Sequence, residues 1–217
     1  MDTSIPGALY FPAHTKAVQP MITVIPWIAV FLLLATSTGL LFSRNWQLSL
    51  GLLAIQYLGT FWLVGFHWPI GMAAVKLVTG WMASATLGIT QFGLPSQEDI
   101  TEKSWPEGHL FRAFAAGIVV TIVVAATPRV RDILPGIGLP EVAGTLLLVG
   151  MGLLHLGITT KTLRVIIGLL TVLAGFEILY TAMENSNLVA ALLAGVNLGL
   201  ALVGSYLLNT QETKQSR

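Results

Sequence analysis

Seven apolar runs, each near the roughly 20 residues needed to cross a bilayer, constrain this 217-residue chain more than any other feature. They fall at 21–43, 45–65, 69–92, 110–128, 141–159, 163–184 and 187–208. Hydrocarbon offers no hydrogen-bond partner, so every backbone N–H and C=O in such a run must be satisfied within it, which selects the α-helix. The expected fold is all-α, a polytopic membrane helix bundle of about seven transmembrane helices. Composition bears on the solvent: 54% of residues are hydrophobic and 10% charged, against roughly 25% charged in a soluble domain. Mean hydropathy is +0.79. With a formal charge of +1 and no basic run, nothing is built to grip nucleic acid. The absence of Cys excludes disulfides, thiol catalysis and iron–sulfur ligation by this chain.

The chain divides at its polar stretches. Residues 1–20 carry Asp2, Pro6 and Pro12 and lack the basic start and short apolar core of a cleaved signal; they read as a polar or interfacial lead-in. A first three-span unit covers 21–93. The polar loop at 94–109, in the stretch "GLPSQEDITEKSWPEGH" from Gly93, follows it as a hinge. Residues 110–140 hold a short fourth span, flanked by Arg112 and Arg129, and the Pro-interrupted "GIGLPEVAG" loop. A fourth run lying in the interface would leave six spans. A last three-span unit covers 141–208, and 209–217 is a polar tail. "RNWQLSLGLLAIQYLGTFWLV" from Arg44 matches "KTLRVIIGLLTVLAGFEILYT" from Lys161 at an offset of 117 residues, which suggests a parallel repeat of three spans. Basic residues in the loops place the N-terminus outside and the C-terminus in the cytoplasm, with Arg44, Lys103, Arg112, Lys161, Arg164, Lys214 and Arg217 inside.

Two charges sit inside spans: Lys76 in "MAAVKLVTGW" and Glu177 in "GLLTVLAGFEILYTAMENS". A lone charge at bilayer depth costs about 2.5–3.5 kcal/mol on insertion scales, so each needs a partner. Counted from Trp68, Lys76 lies about 12 Å in, and counted from Glu184, Glu177 lies about 10 Å from the same face. Equal depth predicts a Lys76–Glu177 pair. Glu177, Tyr180, Thr181 and Glu184 share one helical face, a polar stripe that would serve as a proton access path or as the ordinary polar end of a helix. Further in, the same face carries Leu170 and Leu173 and is dry.

The remaining polar and small residues have plainer readings. His155 lies near the inner end of the fifth span, as a hydrogen-bonded neutral imidazole or a proton-relay group. Gln56 and Asn197 read as interhelical hydrogen-bonding residues, and His67 and Trp68 as interface anchors. Gly195 and Gly199 form a G-x-x-x-G step, and with Gly150, Gly157, Gly168 and Gly175 they mark helix faces that allow close backbone approach, within the bundle in the first instance. His14, His67, His109 and His155 are scattered without metal-ligand spacing, and no nucleophile–base pair, phosphate loop or dinucleotide fingerprint is present. No cofactor, metal or soluble substrate is implied, and a self-contained enzyme is not expected.

From Gly144 to Leu208 the chain resembles the three-helix K subunit of respiratory complex I and its Mrp antiporter homologue. The likeness rests on a Gly-rich first span, the basic turn "TTKTLRVIIGLL" and "LGLALVGSYLL" before a polar tail. The full chain resembles the E-type membrane component of the hydrogenase-4 type complexes, through "LSLGLLAIQYL" and Lys76. The resemblance implies an integral membrane subunit of an ion-translocating complex, without cofactors of its own, packed beside antiporter-like subunits in a bacterial inner membrane. It breaks at the buried acids: Leu170 and Leu173 stand where those families place an acid in the second span, and Gly195 where the K subunit has its second acid. Glu177 is the one displaced substitute, with Lys76 as its partner and Glu184, Tyr180 and His155 as further relay candidates. A free-standing small transporter or channel is the alternative.

Overall fold

The computed structural model describes residues 18–66, 68–93, 109–134, 136–184 and 186–215, with side chains between Val24 and Gln211. The lead-in before Val18, the loop at 94–108 and His67 lie outside the described residues. Seven helices follow one another: α1 Val18–Phe42, α2 Trp46–Val64, α3 Ile70–Gly93, α4 His109–Ile133, α5 Leu139–Gly157, α6 Thr162–Met183 and α7 Asn187–Gln215. All seven are long and apolar enough to cross a membrane. There is no strand among the described residues.

Boundaries for α2, α3 and α6 lie within two residues of expectation, and the differences at α4 and α5 have physical causes. The fourth span is not short: α4 continues through Pro128 to Ile133, which removes the basis for an interfacial fourth run. Proline takes one N–H from the ladder and leaves the Val124 carbonyl without its regular donor, a loss that membrane helices tolerate; beside it the Thr127 hydroxyl donates to the Val123 carbonyl at 2.7 Å. The fifth helix starts at Leu139, two residues early, because Gly138 supplies an extended N-cap, Pro140 fits the first turn and Glu141 meets the positive end of the helix. Beyond the expected end at 208, α7 extends into the polar tail.

Two faces can be named by their residues. On the Arg164 face, Arg112 donates to the Leu41 carbonyl at 3.1 Å and Arg164 to the Ser43 carbonyl at 2.6 Å. Both guanidinium groups thereby satisfy carbonyls at the C-terminal end of α1, where the helix dipole favours positive charge. On the opposite, Trp68 face, α2 and α6 end and α3 and α7 begin. Within the bundle α2 packs against α1, α3 and α6, α3 against α7, and α4 lies outside, mainly against α5. An offset of 117 residues carries Ile70, the first residue of α3, onto Asn187, the first of α7, and Trp46 of α2 onto Leu163 of α6.

Glycines decide the closest approaches. A side chain at Gly168 would meet Leu156 at 2.9 Å, and one at Gly152 would meet the Gly168 carbonyl at 3.1 Å, so α5 and α6 touch backbone to backbone. Gly175 and Gly150 are also filled, by Leu148 and Val119. Gly195 and Gly199 are not helix contacts within the bundle, contrary to their spacing: nothing lies within 4 Å of the position of an added Cβ. The reason is rotational. Leu193, Asn197 and Ala201 are buried side chains of α7 and Gly204 meets Ile166 and Leu87, which turns Gly195 and Gly199 away.

Gly80 has a different neighbour, the ring of Tyr57, which occupies the place of its missing side chain. Gly80→Ala therefore displaces Tyr57 and should destabilise the protein by about 1–3 kcal/mol, the usual cost of overpacking. Gly195→Ala should leave stability unchanged or slightly raised. Thermal unfolding of the two variants in detergent, followed by tryptophan fluorescence, checks the contrast.

A buried charged cluster as the candidate functional site

Four helices each contribute one polar side chain to a cluster in the Trp68 half of the bundle. Lys76 of α3 places Nζ 3.4 Å from Oε1 of Glu177 on α6, and the two side chains are 3% and 1% exposed. Asn197 of α7 donates from Nδ2 to the same Oε1 at 2.8 Å. The Tyr57 hydroxyl of α2 donates to Oδ1 of Asn197 at 2.9 Å. Lys76 Nζ also sits 5.7 Å from the centroid of the Trp68 ring, within cation–π range. The ion pair expected from matching depths is present, and Trp68 is a buried neighbour of the cation instead of the expected interface anchor.

Helix register explains why these groups meet. Tyr57 lies seven residues before the end of α2, Glu177 six before the end of α6 and Lys76 six after the start of α3. At 1.5 Å per residue each is about 9–10 Å from the same end of the bundle. Lys76 and Gly80 stand one turn apart on α3, so the glycine that admits the Tyr57 ring lies beside the ammonium that pairs with Glu177. The cluster is not symmetric under the 117-residue offset. Lys76 corresponds to Leu193 and Tyr57 to Ala174, while Glu177 corresponds to Thr60 and Asn197 to Gly80.

Saturation is uneven. Oε1 of Glu177 accepts from Asn197 and forms the ion pair with Lys76, whose Nζ itself has no hydrogen-bond partner among the described residues, and Oε2 has none either. Towards the Trp68 face, Thr181 is buried and donates to the Ile178 carbonyl, the Tyr180 hydroxyl is buried without a hydrogen-bond partner among the described residues, and Glu184 is exposed as the C-cap of α6. The stripe thus leads from a buried carboxylate to the surface, interrupted by one unpartnered hydroxyl. Gln56 is wholly buried, yet neither amide atom has a hydrogen-bond partner among the described residues, so it is not the interhelical bridge expected of it. His155 is buried near the Arg164 face and its Nε2 likewise lacks such a partner.

Tyr57 escapes a reading of the sequence as a site residue because an aromatic in an apolar helix looks like core. Its depth is the available signal, since it shares the level of both charges. No group of three or more potential metal-ligating side chains occurs among the described residues. No protein-family model, characterised protein or solved structure matches the chain. What stands is a membrane-spanning helix bundle with a buried ion pair wired to two neutral partners.

Removing one member of such a pair strands the other. Lys76→Met alone should cost about 3–5 kcal/mol, whereas Lys76→Met with Glu177→Gln, which keeps an acceptor for Asn197, should recover most of that loss. Apparent melting temperatures of the two variants in the same detergent test the coupling; equal losses would show that the pair contributes nothing as a pair.

Proposed function

We propose that this chain is an integral membrane subunit of a proton-translocating assembly of the complex I-like, hydrogenase-like or Mrp-like kind, packing beside antiporter-type subunits, with Glu177 as its protonatable group. The observation that carries the reading is the Lys76–Glu177 pair. Ionisable residues inside membrane helices are costly and mark ion or proton pathways, and this pair is buried to within a few per cent. Lys76 balances the negative charge of the carboxylate, and Oε2, which has no hydrogen-bond partner among the described residues, is the oxygen left to take a proton. Asn197 and Tyr57 hold the carboxylate in place through Oε1. The resemblance to the K-type and E-type membrane proteins supports the same reading.

In this proposal the Arg164 face is cytoplasmic, in a bacterial inner membrane. Arg44, Arg112, Lys161 and Arg164 lie at that end, against Arg129 and Arg131 at the other, the bias that orients membrane proteins. Tyr180 and Glu184 then lead outward.

The test is gentle solubilisation of the tagged protein from its native membrane and mass spectrometry of what accompanies it. Large antiporter-like subunits are the expected companions, and recovery of the chain alone would overturn the subunit reading. In the recovered assembly, Lys76→Met with Glu177→Gln should assemble normally and lower proton translocation about tenfold or more, in line with the usual contribution of a positioned proton-transfer group.

A further inference from the structure

The face of α6 below Glu177 is apolar, but the interior beside it is not. Gly144 of α5 faces Leu63 of α2, Leu33 of α1 and Ile178 of α6, so these four helices converge on one seam. Helical register then assigns what lies along the seam towards the Arg164 face. Gln56 stands two turns from Leu63 on α2, Ser37 one turn from Leu33 on α1 and His155 three turns from Gly144 on α5. Each of these side chains is more than nine-tenths buried. Both amide atoms of Gln56, Oγ of Ser37 and Nε2 of His155 have no hydrogen-bond partner among the described residues.

Such groups are rare in packed interiors, where an unpaired polar atom normally signals bound water. Three on three helices sharing one seam form a set. Their heights are graded: Gln56 lies about 15 Å, Ser37 about 8 Å and His155 about 3 Å from the ends of their helices on the Arg164 face. Gln56 stands about 3–7 Å nearer the Arg164 face than Glu177, according to the helix end counted from, on a helix that packs against α6.

We propose that the α1–α2–α5–α6 seam is an aqueous half-channel through which protons reach Glu177 from the Arg164 face, with Gln56, Ser37 and His155 as its hydrogen-bonding lining. This rests on the proposed role of Glu177, and it gives that residue access to the second side of the membrane that the stripe along α6 does not supply. Protons pass along hydrogen-bonded water, and no bond of the Gln56, Ser37 or His155 side chains is broken.

The chain has no Cys, so an introduced thiol is the only one in it. Ser37→Cys, nearly isosteric, is compared with Ala29→Cys, buried on the same helix two turns nearer the Trp68 face. The full chain in its native membranes is treated with 2-aminoethyl methanethiosulfonate, which reacts with the thiolate form that water allows. Ser37→Cys should react about tenfold or more faster than Ala29→Cys, because a thiol in dry apolar surroundings stays protonated, and adding Gln56→Leu should slow it. Labelling should also depress proton translocation by the intact assembly. Equal, slow labelling at both positions overturns the half-channel, as does rapid labelling that leaves translocation unchanged. Rapid, Gln56-dependent labelling in an assembly that moves no protons upholds the aqueous seam and instead removes the proposed function.

Discussion

One carboxylate oxygen holds this bundle to a single arrangement. Oε1 of Glu177 receives an ammonium from α3 and an amide from α7, and through that amide it reaches a phenol on α2. Between apolar helices in lipid, side-chain packing is not directional, and many rotations of a helix bury similar area. A buried charge is less tolerant, since any rotation that breaks its contacts strands it in hydrocarbon. The cluster therefore fixes the rotational setting of four helices at one height. The glycine at position 80 follows from the same requirement, as the ring of Tyr57 needs that space to bring its hydroxyl to Asn197.

Elsewhere the bundle is held by close backbone contact. Gly152, Gly168 and Gly175 draw α5 against α6, and the arginines on the opposite face tie α4 and α6 to the end of α1. The two kinds of restraint are segregated. The Trp68 half is set by a charged network and the Arg164 half by helix-end hydrogen bonds, and Gln56, Ser37 and His155 lie along the seam that joins them.

Much of this is legible in the amino-acid sequence, and what is not has identifiable causes. Helix number follows from segment length alone, because a bilayer imposes it. The Lys76–Glu177 pair follows from depth, a quantity that sequence position supplies directly. Rotation does not follow from position in an apolar helix, where no polar face reports which side is inward. That is why spacing puts Gly195 and Gly199 on the packing face when Leu193, Asn197 and Ala201 hold it. For the same reason Gln56 reads as a bridge between helices, and Tyr57 as core. Ending the fourth span at Pro128 applies a rule suited to water, since a membrane helix has strong reason to continue through a proline.

The outer position of α4 has a consequence for how the chain is threaded. It contributes no residue to the cluster and touches few neighbours, yet it carries the chain from the Arg164 face back to the Trp68 face before α5 begins. Without that one crossing, the last three helices would be inserted upside down. Glu177 would then lie near the opposite surface from Lys76, and neither charge would find its counterpart. A helix with almost no part in the interior thus sets the parity on which the interior depends.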